Sequence, residues 1–248
     1  MGSDAARLSQ ELALGAVSAA EAAAIAAYRL AGRGDEKAAD QAAVDGMRTA
    51  LNALAIDGEI VIGEGERDEA PMLYIGEKVG IGGPKIAIAL DPLEGTTLTA
   101  KRMANALAVI AMAPEGGLLN APDVYMDKLA IGPGFEPGLV DLDRSPSENA
   151  RALAKAKGVP VEDLTVCVLD RPRHAEIISD LRSAGVRLHL ISDGDVAGVI
   201  HTTDPSTGID MYVGQGGAPE GVLAAAALKC VGGQFQGRLV FRNDDERA

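Results

Sequence analysis

Carboxylates stand at two places where a short apolar run of the sequence ends. Asp91 and Glu94 are three residues apart in the segment DPLEGT (residues 91–96), directly after the run 85–90. In a tight turn, two such carboxylates can reach one hard cation, while backbone N–H groups at the end of the segment can receive a phosphate. The plainer alternative is a strand that ends in a polar turn.

The second acidic segment follows the run 59–62 and contains Glu64, Glu66, Asp68 and Glu69 within six residues. Four carboxylates at this density repel one another, so either all of them point to water or some of them share cations. A solvated loop remains the alternative. Glycines on both sides of Glu64 leave room for close backbone approach, which favours the shared cation.

The elements that must hold these acids follow from the apolar periodicity. The first half predicts two alanine-rich helices and four short strands, and after residue 145 strands and helices alternate regularly. Alternation predicts an α/β fold with a mainly parallel sheet, which binds ligands beyond the carboxyl ends of its strands. Predicted helices cover residues 8–30, 35–54, 147–157, 175–184, 195–200 and 219–228, and predicted strands 59–62, 85–90, 106–113, 126–131, 164–169, 186–191 and 209–213.

A segment rich in glycine and proline, residues 132–146, separates the two patterns. We therefore expect two lobes, residues 1–143 and 144–248, with both acidic segments in the first. Because Glu220 follows Pro219, we expect it in the first turn of a helix, where the helix dipole favours bound anions.

Composition limits the function classes. The 248 residues carry 23 basic and 36 acidic side chains, a net charge of −13, with 3% aromatics and no tryptophan, so nucleic acid is not an expected partner. The sequence has neither a basic leader with an apolar core nor 18 consecutive apolar residues, and we expect a cytoplasmic protein that does not enter membranes. Cys167 and Cys230 are far apart in sequence and are expected to be buried, reduced thiols.

Seven segments together resemble the signatures of the class II (GlpX-type) fructose-1,6-bisphosphatases, in the order and spacing of that family. The segment DPLEGT is shared more loosely with the wider lithium-sensitive phosphatase superfamily. The resemblance implies a layered αβαβα sugar-phosphatase fold with metal ligands at Asp40, Glu64, Asp91, Glu94 and Glu220. The seven segments are residues 32–40, 60–73 (IVIGEGERDEAPML), 91–96, 120–126, 171–174, 193–195 and 216–221.

The same resemblance implies a set of sugar-phosphate contacts. A guanidinium group binds phosphate oxygens in a fork, carboxylates accept hydrogen bonds from sugar hydroxyls, and a tyrosine can donate one to phosphate. Thr97 departs from the family, in which arginine is common at this position. The implied contacts are Glu94, Gly95, Thr96, Tyr125, Arg171, Pro172, Arg173, Asp193, Gly194, Asp195 and Gly217.

The implied reaction is hydrolysis of fructose 1,6-bisphosphate to fructose 6-phosphate, a step of gluconeogenesis, with two or more Mn²⁺ or Mg²⁺ ions that activate a water molecule. Thr96 is the candidate to orient that water, and Asp68 or Glu66 the candidate to accept its proton. Alternatives are a sedoheptulose-1,7-bisphosphatase or another sugar or polyol phosphatase, and a non-catalytic regulator that binds sugar phosphates. The family also implies a homo-oligomer, a dimer or a tetramer.

The end of the sequence carries a separate expectation. Residues 238–242 predict a strand, and Asn243 or Asp244 followed by acids is typical of a helix start. Members of the family continue beyond this point. We therefore expect that part of the usual second lobe is missing, and that an edge or an apolar face near Phe235, Leu239 and Phe241 is exposed.

Overall fold

The computed structural model describes residues 10–65, 72–243 and 246, which fall into two compact units, Met1–Asn120 and Ala121–Ala248. The boundary expected from the sequence was at residues 143/144 instead. The difference lies in the strand Tyr125–Ile131, which pairs along its whole length with two strands of the second unit. The glycine- and proline-rich segment after this strand is therefore a connection inside the second unit.

Two helices pack on the sheet of the first unit, α1 (Gln10–Tyr28) and α2 (Glu36–Leu51). Small side chains let them approach closely, since the buried face of α1 consists of alanines. Asp35 caps α2 by accepting a hydrogen bond from the Ala38 N–H group. The apolar faces of both helices and of the sheet form one core, which includes Met47, Ile60 and Ile88.

Among the described residues, α1 is the one helix long and apolar enough to cross a membrane. Core helices meet the same criterion, and the buried alanines of α1 belong to the core of the first unit. The length and composition of α1 therefore do not identify it as a membrane anchor. Its large exposed apolar side chains are Leu14, Val17, Ile25 and Tyr28.

The four-stranded sheet of the first unit has the order β2-β1-β3-β4. The β1–β3 pair is parallel, and the two outer pairs are antiparallel. A five-residue helix, α3, follows β3 directly. The bounds are β1 (Asp57–Ile62), β2 (Lys78–Val79), β3 (Lys85–Glu94), α3 (Thr96–Ala100) and β4 (Leu107–Pro114).

Strand β3 corrects one expectation. The sequence predicted a strand that ends before Asp91, with Asp91 and Glu94 in a tight turn, but β3 continues to Glu94. The pairing of β3 with β4 is irregular between these two residues, and Pro92 lies inside the irregularity. A proline cannot donate to a ladder, so it is tolerated in a strand at such an irregularity.

The second unit has a five-stranded sheet in the order β7-β6-β8-β5-β9. Its β6–β7 and β6–β8 pairs are parallel, whereas β5 pairs antiparallel with β8 and β9. The expected mainly parallel sheet is therefore a mixed sheet, while the α/β class is confirmed. The strands are β5 (Tyr125–Ile131), β6 (Thr165–Leu169), β7 (Arg187–Ile191), β8 (Met211–Gly217) and β9 (Gln234–Val240).

Helices cover both faces of this second sheet. One core joins the sheet to α4 and α5 through Leu153, Leu181 and Val166. Another joins the opposite face to α6 and α7 through Tyr212 and Leu228. The helix bounds are α4 (Pro146–Lys157), α5 (Ala175–Ser183), α6 (Asp195–His201) and α7 (Ala218–Val231).

The second unit contains both cysteines and strand β9, for which the sequence carried expectations. Cys167 is buried, as expected, but Cys230 is exposed because it lies near the end of α7, so the prediction of two buried thiols is wrong for Cys230. Strand β9 lies at one edge of the sheet and begins earlier than expected. Phe235, Leu239 and Phe241 are each half-buried.

Candidate active site

The carboxylates of Asp91 and Glu94 meet at the end of β3. One oxygen of each lies within 4.8 Å of the other, close enough for both to hold one metal ion. Asp91 also accepts a hydrogen bond of 3.0 Å from the Leu93 N–H group, which bends the backbone between the two acids. Glu94 is almost fully buried. The strand irregularity therefore brings together two side chains that a regular strand would point to opposite faces.

Gly95 lies between this carboxylate pair and α3. Its φ of 83° is in the left-handed region, where a side chain would be strained, and it is the residue before the first helical position, Thr96. Thr97, which stands where arginine is common in the resembled family, donates a hydrogen bond of 2.9 Å to Glu36 at the start of α2. The side chain of Thr97 thus links α3 to α2.

Asp40 and Glu64 form a second acidic site within the first unit. Asp40 lies on α2 and Glu64 follows β1, and both are half-buried. Burial raises the pKa of Glu64 to about 7, and repulsion from the Asp40 carboxylate adds to the increase. Burial also raises the pKa of Asp40. Asp40 thus lies close enough to Glu64 to influence it, which its position on a helix could not reveal.

Described residues on the two sides of the acidic segment, 64–65 and 73–75, are hydrogen bonded to each other. The Glu64 N–H group donates to the Leu73 carbonyl at 3.0 Å, and Ile75 donates to Gly65. The buried Glu77 accepts from Arg48 at 2.7 Å and from the Leu73 N–H group. Glu77 was not predicted from the sequence, because a lone acid outside a motif carries no signal.

The two proposed proton acceptors, Glu66 and Asp68, lie outside the described residues. The structure therefore places neither of them relative to Glu64. Their roles remain predictions.

In the second unit, Glu220 occupies the first turn of α7, as the preceding proline predicted. A Cβ atom on Gly217 would lie 2.0 Å from Glu220 Oε2, so only glycine leaves room for this carboxylate. Glu220 Oε2 is buried and has no hydrogen-bond partner among the described residues. Burial raises the pKa of Glu220, although the Lys128 ammonium group opposes the shift.

The predicted phosphate-binding arginines follow β6. Arg171 lies 3.9 Å from Asp193. Arg173 donates to the Gln215 carbonyl in β8 from two nitrogens, at 3.1 and 2.9 Å, and its guanidinium lies 5.1 Å from the centre of the Tyr125 ring. Three of the predicted substrate contacts are thus held in place by β5, β8 and the loop after β6.

His174 supports this arrangement from inside the unit. It is fully buried, and its Nε2 accepts a hydrogen bond of 2.8 Å from the Gln215 N–H group. Burial lowers the pKa of His174, which favours the neutral imidazole. Gln215 is therefore held on its N–H side by His174 and on its carbonyl side by Arg173.

Asp193 and Asp195 flank Gly194 but differ in their surroundings. Asp193 is half-buried, whereas Asp195 is buried and its Oδ2 lies 2.6 Å from the ammonium group of Lys128. Tyr212 donates to the same oxygen at 3.4 Å. Asp195 therefore joins the start of α6 to β5, through Lys128, and to β8, through Tyr212. Lys128 was not predicted from the sequence, because it lies in the middle of an apolar strand pattern.

These acids suit a hard divalent cation. Asp91 and Glu94 are close in the first unit, and Glu64 has a raised pKa there. In the second unit, a buried Glu220 oxygen has no hydrogen-bond partner within the part of the chain that the structure describes. In each unit, a bound divalent cation would stabilise these carboxylates: it would reduce the repulsion in the first unit and give the Glu220 oxygen a partner in the second.

Comparisons with known proteins identify similar chains. A family model described as bacterial fructose-1,6-bisphosphatase, glpX-encoded, matches residues 10–248. The chain is 51% identical over 236 residues to the protein named fructose-1,6-bisphosphatase 1 class 2 of Escherichia coli (strain K12). It has the same identity to fructose-1,6-bisphosphatase class 2 of Shigella flexneri. Each alignment covers 95% of this chain and 70% of the relative.

Proposed function

Because the chain belongs to the family of bacterial, glpX-encoded fructose-1,6-bisphosphatases, we propose that it hydrolyses fructose 1,6-bisphosphate to fructose 6-phosphate and phosphate. The observation that carries this proposal is the pair of carboxylates at the end of β3, with oxygens of Asp91 and Glu94 within 4.8 Å. Phosphate monoester hydrolysis requires local positive charge in a protein whose net charge is −13, and cations on such acids would provide it.

The proposed metal ligands are the two acids of β3 together with Asp40, Glu64 and Glu220, as the resemblance assigns them. Two observations support this set: the raised pKa of Glu64, and the buried Glu220 oxygen that no described residue hydrogen bonds. A bound cation would stabilise the charged form of either carboxylate. Mn²⁺ or Mg²⁺, two or more ions, would supply Lewis acidity and a lowered pKa for a water molecule.

Among the chain's own groups, the Thr96 hydroxyl is proposed to orient the attacking water. Thr96 is the first residue of α3 and follows Glu94 by two residues, which supports this proposal. Glu66 or Asp68 would accept the proton of that water. The phosphate group that is not cleaved, the remote phosphate, would bind Arg171, Arg173 and the Tyr125 hydroxyl. Asp193 would accept hydrogen bonds from sugar hydroxyls. Asp195 forms an ion pair with Lys128 and would support the loop that carries Asp193.

Two alternatives share this site. Sedoheptulose 1,7-bisphosphate or another sugar or polyol phosphate could replace fructose 1,6-bisphosphate, because the carboxylates proposed as metal ligands do not distinguish one sugar from another. A non-catalytic regulator would bind the sugar phosphate without turnover. Several acids arranged for cations favour the enzyme, since binding alone requires fewer of them.

Phosphate release tests the proposal. The purified chain is incubated with fructose 1,6-bisphosphate, sedoheptulose 1,7-bisphosphate or inositol 1-phosphate, each with Mn²⁺, Mg²⁺ or EDTA. Fastest release from fructose 1,6-bisphosphate, abolished by EDTA, is the expected result. Binding without release would favour the regulator, and a faster reaction with another substrate would reassign the specificity.

We further propose that the protein is a cytoplasmic homo-oligomer. Light scattering would test the oligomeric state, and cell fractionation would test the location.

A further inference from the structure

Two guanidinium groups approach the aromatic ring of Tyr125. Arg173 lies 5.1 Å from the ring centre and Arg242 lies 5.8 Å from it, both within the range of a cation–π contact. Arg173 belongs to the contacts that the resemblance implied, and Arg242 does not. Two like charges at one ring repel each other unless an anion lies close to both.

The register of the second sheet explains how Arg242 reaches this ring. Tyr125, the first residue of β5, is paired with Gly217 of β8 on one side and with Val240 of β9 on the other. Arg242 follows Val240 by two residues and therefore lies beside the start of β5. Arg173 comes from the segment after β6, and the Gln215 carbonyl of β8, the strand on the other side of β5, holds its guanidinium group near Tyr125.

Arg242 already holds an anion from its own chain. Glu246 accepts a hydrogen bond of 2.7 Å from the Arg242 backbone N–H group and another from its Nε atom. The Asn243 side chain accepts from the Glu246 N–H group at 3.0 Å, which keeps the carboxylate in place. The Arg242 side chain remains largely exposed, so a ligand can reach it. A carboxylate and a phosphate bind to a guanidinium group through the same fork geometry.

We propose that Arg242 joins Arg173 in binding the phosphate group of the substrate that is not cleaved, and that Glu246 competes with this phosphate for Arg242. The inference rests on the proposed function, because it takes the ligand to be a sugar bisphosphate. Arg242 acts in binding and leaves the cleaved bond to other groups. Its removal therefore weakens affinity for every ligand that carries the remote phosphate.

The test compares Arg242→Gln with Arg238→Gln, since Arg238 is an arginine of β9 four residues earlier whose partner is Asp143. Arg242→Gln is expected to raise KM for fructose 1,6-bisphosphate about tenfold or more with kcat nearly unchanged, while Arg238→Gln changes neither parameter by more than about twofold. Glu246→Gln is expected to lower KM, because the competing carboxylate is gone. Circular dichroism confirms that each variant is folded.

Calorimetric binding of fructose 6-phosphate, which carries the remote phosphate alone, separates this inference from the proposed function. If the wild-type chain binds fructose 6-phosphate but releases no phosphate from the bisphosphate, the proposed reaction fails while Arg242 can still be tested by the same titration. A loss of affinity in Arg242→Gln and not in Arg238→Gln supports the inference. Equal affinities of the two variants, or no binding by the wild type, would overturn it.

Discussion

The ammonium group of Lys128 lies 2.6 Å from the carboxylate of Asp195, and Lys128 is fully buried while Asp195 is nearly so. The pair joins the middle of β5 to the first turn of α6. A Cβ atom on Gly216 would lie 2.1 Å from Asp195 Oδ2, so the end of β8 also packs directly on the pair. One buried contact therefore holds three elements that carry the proposed substrate contacts.

Loss of one member of this pair should destabilise the second unit. Lys128→Met leaves the Asp195 carboxylate buried without its cation, which is expected to cost about 3–5 kcal/mol of unfolding free energy. The double variant Lys128→Met with Asp195→Asn removes both charges and should recover much of that loss. Urea unfolding followed by circular dichroism measures both. The exposed pair Lys78–Glu59 provides the control, since Lys78→Met should change stability far less.

Removal of a proposed ligand charge should abolish turnover without unfolding the chain. Asp91→Asn and Glu64→Gln each subtract a charge from the proposed metal cluster, and loss of a transition-state contact of about 2.7 kcal/mol costs about a hundredfold in rate. Steady-state phosphate release at saturating Mn²⁺ is the measurement. Glu59→Gln, on the exposed side of β1, is the matched control. A ligand variant that kept more than about a tenth of the wild-type rate would contradict the assignment.

Thr96 and Arg173 should differ in the kinetic parameter that they affect. Thr96→Ala is expected to lower kcat with little effect on KM, because a hydroxyl that orients water acts in the transition state. Arg173→Ala is expected to raise KM, because its guanidinium binds a phosphate that does not react. Thr97→Val, which loses only the hydrogen bond to Glu36, serves as the neighbouring control. An effect of Thr96→Ala confined to KM would make Thr96 a phosphate contact instead.

The sequence predicted a structural feature correctly where neighbouring residues alone determine that feature. Pro219 predicted the first turn of α7 and therefore the position of Glu220, because proline is compatible with the first helical position. Pro92 contributed to the wrong prediction that β3 ends before Asp91, for a related reason. A proline usually ends a central strand, and only the pairing with β4 creates the irregularity that lets β3 continue to Glu94.

Contacts between distant residues could not be predicted. Lys128 and Asp195 are 67 positions apart, and a lysine within the strand pattern carries no sign of its partner. The effect of Asp40 on Glu64 likewise depends on how α2 packs beside the end of β1. The resemblance selected Asp40 as a candidate, but the physical reason to consider it, proximity to another acid, exists only in the folded unit.

The last prediction concerns the pH dependence of stability in the metal-free chain. The pKa of Glu64 is about 7 in the folded state against 4.5 as its ordinary value, so between these values the folded chain binds more protons than the unfolded chain. Stability must then fall as pH rises through this window, which is opposite to the usual behaviour of a paired carboxylate. A shift of this size corresponds to about 3 kcal/mol between pH 4 and pH 8.

Urea unfolding in EDTA at a series of pH values measures this slope. Glu64→Gln cannot ionise at residue 64, so it should flatten the decline between about pH 5 and pH 7 and should be more stable than the wild type at pH 8. Glu59→Gln should keep the wild-type profile, because Glu59 is exposed and paired with Lys78. Added Mn²⁺ should restore the stability of the wild type at pH 8 but restore less in Glu64→Gln, since the ion binds the ionised carboxylate. If the wild type and Glu64→Gln have parallel pH profiles in EDTA, the Glu64 carboxylate is not held in the buried, repulsive environment described for it.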